Sequence, residues 1–218
     1  MSIIVKKVTS GPFDENGYLV FNQGDLSGIF IDPGYDAALY TRLAEDAGVK
    51  PSAIINTHAH LDHIGAVHDL QEYYQIPFYL HKEEEPIVSQ FTENSALFGV
   101  RLGSEPKVTN WIKDEEKIKF GIITIELLFT PGHTPGGTCF IIDEHTFVGD
   151  TLFMGSVGRV DLPGGSWTIL EQSLIKIMNT VPHTNIIHSG HGQETTLAEE
   201  IKNNPFLIPL CDRVNSLQ

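Results

Sequence analysis

The 218-residue sequence predicts an α/β protein in which two β-sheets pack on each other with helices outside. Three observations carry this prediction. Strand-like apolar runs are followed by a helical pattern in the first third of the chain, and the same succession returns in the second half. The helical patterns end or begin at residues suited to caps. With 41% hydrophobic and 9% aromatic residues, the chain can bury a sizeable core, which excludes global disorder.

Residues 1–35 read as β. Tyr18-Leu19-Val20-Phe21 and Gly28-Ile29-Phe30-Ile31 are apolar runs separated by a turn at Gln23-Gly24-Asp25, and the second stops at Asp32-Pro33-Gly34. Residues 36–47 read as a helix with Leu39, Leu43 and Ala47 on one face, closed by Gly48 as a left-handed C-terminal residue. Ala53-Ile54-Ile55 is a short buried strand. The stretch 82–115 has the weakest pattern and reads as a helix with an excursion near the site; its Glu83-Glu84-Glu85 run reads as a solvated helix face. Residues 122–129, 138–142 and 145–148 read as strands. A helix over 168–180 has a Thr168-x-x-Glu171 capping box and an apolar stripe of Leu170, Leu174, Ile177, Met178 and Val181. A strand over 185–188 and a helix opened by Thr196-x-x-Glu199 and halted at Asn204-Pro205 complete the chain. No linker or low-complexity segment interrupts it, so 1–218 is expected to be one domain.

Fourteen Lys+Arg against 28 Asp+Glu give a net charge of −14, which repels polyphosphate and excludes sequence-independent nucleic-acid binding. No apolar run approaches the ~18 residues needed to cross a bilayer. Residues 1–10 lack a basic-then-apolar leader pattern. Cys139 and Cys211 are too few for a disulfide framework and fit a reducing compartment. A cytoplasmic chain with neither membrane nor nucleic-acid partner is the expectation.

The chemistry concentrates in Thr57-His58-Ala59-His60-Leu61-Asp62-His63, directly after the strand at 53–55. Two histidines two apart project from the same face of extended backbone, and an aspartate and a third histidine follow where the chain turns into a helix. Such a cluster builds a poor core, and imidazole nitrogen and carboxylate oxygen are ligands of divalent metals. Three further donors each follow a strand and are flanked by glycine: His133 in Thr130-Pro-Gly-His133-Thr-Pro-Gly-Gly137, Asp150 in Val148-Gly149-Asp150-Thr151, and His191 in His188-Ser-Gly-His191-Gly192.

The succession His-x-His-x-Asp-His, Gly-His-Thr, Gly-Asp-Thr and Gly-His-Gly resembles the metallo-β-lactamase-fold hydrolases. Gly149-Asp-Thr-Leu-Phe153, Gly155-Ser-Val-Gly-Arg159-Val-Asp161 and Leu162-Pro-Gly-Gly165 are similar to the small single-domain relatives of glyoxalase II, as are Asn16-Gly-Tyr-Leu-Val20 and Ile31-Asp32-Pro-Gly34. The resemblance implies a four-layer αββα sandwich of two mixed sheets. It also implies that His58, His60 and His133 hold one metal ion, that Asp62, His63 and His191 hold a second, and that Asp150 bridges them. Paired divalent ions, zinc with iron or manganese as alternatives, then hold a water-derived hydroxide at neutral pH that attacks the substrate. Asp62 and Asp150 are the catalytic carboxylates of that scheme.

Absences narrow the class. The β-lactamases of the fold place cysteine among the second-site ligands, where this chain has Asp150; the flavodiiron branch has glutamate where His60 stands. The helical C-terminal domain that contacts glutathione in full-length glyoxalase II has no counterpart after His191, and Asp161 replaces a glutathione-contacting tyrosine. The resemblance therefore implies hydrolysis of a small thioester, S-lactoylglutathione or a related acyl thiol. The alternative is a persulfide dioxygenase with one Fe(II) on His58, His133 and Asp150. A non-catalytic, metal-stabilised module is disfavoured by the complete ligand set.

Arg159 stands where the family has a lysine for the glycine carboxylate of glutathione; its competing reading is an ion pair with Asp161 or Asp32. Phe153, with Met154 and Trp167, is a candidate for the substrate mouth, and Asp32 for a hydrogen bond from the metal loop. His68, His81, His145, His183 and His188 match no ligand position, though His188 is close enough to His191 to support it.

Overall fold

The computed structural model describes residues 2–100, 102–114 and 117–211. In chain order its first half comprises β1 (Ile3–Ser10), β2 (Glu15–Asn22), β3 (Ser27–Ile31), α1 (Ala37–Ala47), β4 (Lys50–Ile55), α2 (Leu61–Ile64), α3 (Val67–Tyr74), β5 (Phe78–His81), α4 (Glu85–Val88), α5 (Phe91–Phe98) and β6 (Asn110–Ile112). The second half comprises β7 (Lys117–Phe120), β8 (Ile123–Phe129), β9 (Thr138–Ile142), β10 (His145–Gly149), β11 (Leu152–Phe153), β12 (Ser156–Val157), α6 (Trp167–Thr180), β13 (Ile186–Ser189), β14 (Thr195–Thr196) and α7 (Leu197–Asn203).

Two six-stranded sheets result, ordered β1-β2-β3-β4-β5-β6 and β14-β13-β10-β9-β8-β7, with β11 and β12 as a separate ribbon. Both are mixed: β3, β4, β5 and β6 pair in parallel and β1, β2 and β3 antiparallel, while β10 and β13 are the parallel pair of the second sheet.

The side-chain period of two sorts these strands into layers. Every residue of β2 is buried; Leu19 and Phe21 join Tyr40, Ala44, Val67 and Leu70 in a core beneath α1 and α3. Tyr18 and Val20 point the other way and meet Ile125, Leu127, Phe140 and Phe147 of the second sheet. Leu128, Cys139 and Val148 leave that sheet on its far face, against Leu170, Leu174 and Ile177 of α6 and Leu197 of α7. Helix, sheet, sheet and helix form four layers, the αββα arrangement expected.

Three local readings change. The buried face of α1 centres on Tyr40 and Ala44, while Leu39 is exposed, because the helix rolls its aromatic residue towards Phe30. Helix α6 begins at Trp167 behind Ser166, so Thr168 lies inside the first turn and no capping box forms there. The stretch 82–115 holds two short helices, α4 and α5, and the edge strand β6; residues 101 and 115 of it lie outside the described residues. Thr196 caps α7 as expected, accepting from Glu199 N–H at 3.3 Å.

Candidate metal centre

Each predicted donor lies just beyond a strand: His58 after β4, His133 after β8, Asp150 after β10 and His191 after β13. The loops are tied to one another by backbone bonds, Thr138 N to Thr57 O at 3.0 Å, Gly190 N to Gly149 O at 2.8 Å and Asn16 N to Gly190 O at 2.7 Å. Seven side chains from four separate segments thereby converge. One nitrogen each of His58, His60 and His133 falls within a 4.8 Å span, and so do the ligand atoms of Asp62, His63 and His191. Asp150 stands between the two groups, Oδ1 3.4 Å from His63 Nε2, and Oδ2 3.6 Å from His133 Nε2 and 3.5 Å from His191 Nε2.

The back nitrogens of the imidazoles are held so that the front ones face inwards. His133 Nδ1 lies 2.7 Å from the carbonyl of Arg159 and His191 Nδ1 3.1 Å from that of Phe13; each must donate, which leaves Nε2 as the atom that takes either a proton or a metal ion. His58 Nδ1 contacts Thr57 Oγ1 at 3.0 Å. His63 Nδ1 lies 3.6 Å from Asp32. His58 Nε2, His63 Nε2 and Asp150 Oδ1 are buried and have no hydrogen-bond partner. Buried polar atoms are almost always satisfied. A convergent set of unpartnered nitrogens and oxygens, with carboxylates to balance charge, fits divalent cations once any proton on an imidazole is displaced.

A third grouping, Asp32 with His58 and His63, also has its atoms within 4.8 Å. Asp32 is already engaged, accepting from Thr57 N–H at 2.7 Å and Thr57 Oγ1–H at 2.6 Å, and it is buried. It buttresses the His58–His63 loop from behind.

The electrostatics of the metal-free site follow from this crowding. Burial, with the neighbouring His63, pushes His58 well below the usual imidazole range, and burial with His133 pushes His60 down to about 4. Burial alone would lower His63 and His191 too, but the carboxylates win: Asp62 and Asp150 raise His63 to about 9, and Asp150 and Asp62 raise His191 to about 11. In return, and against burial, His63 and His191 hold Asp62 and Asp150 below the ordinary carboxylate range. Loading the second group with metal therefore displaces protons. Metal affinity is expected to rise with pH between about 7 and 9, read by calorimetric titration in buffers of different ionisation enthalpy. The metal-free protein should behave oppositely. The two imidazoliums stabilise it fully below about 6.5, and that contribution fades as pH rises through about 9 for His63 and about 11 for His191.

Glycine makes the close packing possible at two points. A Cβ on Gly190 would stand 2.1 Å from Asp150 Oδ1 and 2.6 Å from His63 Cε1. At Gly149 φ is +51° and a Cβ would meet Thr57 Oγ1 at 2.2 Å. Gly190→Ala is expected to lower bound metal to at most one ion per chain, measured by elemental analysis, with the helical circular dichroism retained.

Glu84 was hidden in the sequence. Its neighbours Glu83 and Glu85 are exposed, but Glu84 is fully buried, which overturns the reading of all three as a solvated face. Its Oε2 accepts from Ala59 N–H at 2.7 Å and its Oε1 from Gly136 N–H at 2.6 Å. One carboxylate thus clamps the loop of His58 and His60 to the loop of His133. Burial raises its pKa to about 7, against the hydrogen bonds from the two amides. The available signal was position: like the metal ligands, it lies just after a strand, β5.

A cavity of about 450 Å³ opens onto the site, lined by His60, Asp62, His133, Asp150 and His191 together with apolar side chains that include Phe153. The Phe153 ring lies 6.1 Å from that of His191. Arg159 also lines the cavity, yet its guanidinium is exposed and forks onto Asp161 with two bonds of 2.7 Å. Met154 and Trp167 are exposed and do not line it. None of His68, His81, His145, His183 and His188 joins a metal-capable group among the described residues. His188 is turned away, 3.0 Å from His145 and 3.2 Å from Glu194.

The family model for the metallo-beta-lactamase superfamily matches residues 10–191. The chain is 34% identical to a probable metallo-hydrolase, YqgX, of Bacillus subtilis over 93% of its own length and 96% of the relative's. It is 31% identical to the hydroxyacylglutathione hydrolase GloC of Haemophilus influenzae, over 95% and 98% of the two chains. Among solved structures, TTHA1623 in a di-iron-bound form superposes with a TM-score of 0.85 at 38% identity, covering 93% of this chain and all of that one. This chain belongs to the metallo-beta-lactamase superfamily.

Proposed function

We propose that this metal-dependent hydrolase of the superfamily cleaves small thioesters with two divalent ions, zinc foremost, held by His58, His60 and His133 on one side and Asp62, His63 and His191 on the other, with Asp150 between. Ions held there supply Lewis acidity towards the acyl carbonyl and lower the pKa of solvent. The observation that carries the thioester reading is the lining of the cavity. Every titratable side chain of the lining except Arg159 belongs to the metal-ligand set, and the other polar lining residues are Asn94 and Ser156. Apart from the ligand set, the lining holds no carboxyl, imidazole, thiol or amine to protonate a poor leaving group. A thiolate needs no such help, since the thiol pKa is about 8.5. The likeness to GloC, named for hydroxyacylglutathione hydrolysis, supports the same reaction class.

The chain's own residues do three things. Arg159 and Phe13 carbonyls fix the tautomers of His133 and His191; Asp32 and Glu84 hold the loops; and Asp62 and Asp150 keep His63 and His191 oriented. No helix among the described residues is long and apolar enough to cross a membrane, and the net charge of −14 disfavours a polyanionic substrate.

The test is elemental analysis of natively purified protein followed by a thioester panel that includes S-lactoylglutathione. Two ions per chain and thioester turnover are expected. A single iron with oxygen uptake on glutathione persulfide would replace this reading by the dioxygenase one, for which His58, His133 and Asp150 are the side chains.

A further inference from the structure

We infer that the acyl group of the substrate is a straight hydrocarbon chain of medium length; this rests on the thioesterase reading of the site and gives it a specificity. With Asn94 and Ser156 as its uncharged polar side chains, the cavity that holds the ligand set is also lined by Phe13, Ile87, Phe98, Phe153, Val157 and Leu162. These come from six separate places: the β1–β2 turn, α4, α5, β11, β12 and the loop after β12. That six segments each contribute an apolar side chain to one wall is a property of the site, not of one amphipathic element. Phe13 and Phe98 are 45% and 54% exposed, so two aromatic rings face water at the mouth. Exposed apolar surface of that kind around a concavity marks a binding surface.

Size and charge narrow the occupant. At roughly 30 Å³ per water, a cavity of about 450 Å³ has room for about fifteen water-sized groups. A two- or three-carbon acyl group fills little of it; an octanoyl thioester fills most. Outside the ligand set, Arg159 is the one charged residue among the described lining residues, and Asp161 pairs with it through Nε and Nη2. A charged or strongly polar acyl group finds no unpaired cation there, whereas a hydrocarbon chain covers the phenyl rings and is compatible with the strongly acidic chain.

Two series on the metal-loaded enzyme test this. Hydrolysis of N-acetylcysteamine thioesters from acetyl to octanoyl is expected to show kcat/KM rising about fourfold per methylene, the factor for burying one CH₂. Calorimetric binding of the free straight-chain carboxylates is expected to tighten by a similar factor per methylene, and Phe98→Ala to flatten both slopes. A flat or falling binding series, a slope unaffected by Phe98→Ala, or S-lactoylglutathione turned over with higher kcat/KM than the octanoyl ester would overturn the inference. A binding slope without turnover of any thioester would instead overturn the reaction class while supporting the apolar acyl site.

Discussion

If the site is dinuclear as proposed, Asp150→Ala is expected to lower kcat/KM by at least about 10³-fold and to reduce bound metal from two ions to one or none per chain, because the loss of a ligand shared by both ions would remove several kcal/mol of transition-state stabilisation. Its oxygens reach both groups at once, 3.4 Å from His63, 3.6 Å from His133 and 3.5 Å from His191. The consequence extends to the metal-free protein. Asp150 is among the charges that raise His63 and His191, so in the variant both pKa values fall back towards the ordinary imidazole value. NMR titration of the imidazole protons reads that shift independently of activity. Asp150 faces the cavity and belongs to none of the three apolar cores, so the fold is expected to survive. Retention of two ions and of turnover would be incompatible with a bridging role.

Glu84→Ala produces the second large effect, by a different route. It leaves the buried N–H groups of Ala59 and Gly136 without acceptors, each costing about 1–3 kcal/mol. Unfolding by urea is expected to show a loss of about 2–5 kcal/mol. The first metal group, built from the two loops that Glu84 joins, is expected to lose about 10–100-fold in affinity. Glu84→Gln keeps one acceptor oxygen and is expected to fall between wild type and Ala. It also carries a pH signature. With its pKa raised to about 7 from an ordinary 4.5, Glu84 binds a proton in the folded state that the unfolded chain has already released. Stability from this residue is therefore greatest below about 4.5 and declines as pH rises to about 7. In Glu84→Gln that dependence disappears.

What was legible in the sequence was whatever repeats a period or combines rare residue types. The alternation of Tyr18-Leu19-Val20-Phe21 and the stripe from Leu170 to Val181 announce layers, because each side chain's face follows from backbone geometry alone. The seven donors stood out because histidine and aspartate beside glycine at strand ends are costly to place elsewhere. Leu39 and Tyr40 show where periodicity gives out: adjacent apolar residues on α1 leave the helix's rotation undecided until the sheet beneath it is known. Glu84 shows the deeper limit. A carboxylate is buried only when partners far off in sequence supply donors, here Ala59 and Gly136, and nothing local in Glu83-Glu84-Glu85 says which of the three will meet them. Arg159 is the same case, since its bidentate hold on Asp161 decides whether a charge is free for a ligand.

Anomalous diffraction from crystals of the metal-loaded protein is the most direct measurement. Two peaks per chain are expected, one among His58, His60 and His133 and one among Asp62, His63 and His191, with Asp150 touching both. A single peak that leaves Asp62 and His191 without an ion, or peaks elsewhere in the molecule, would contradict the dinuclear site.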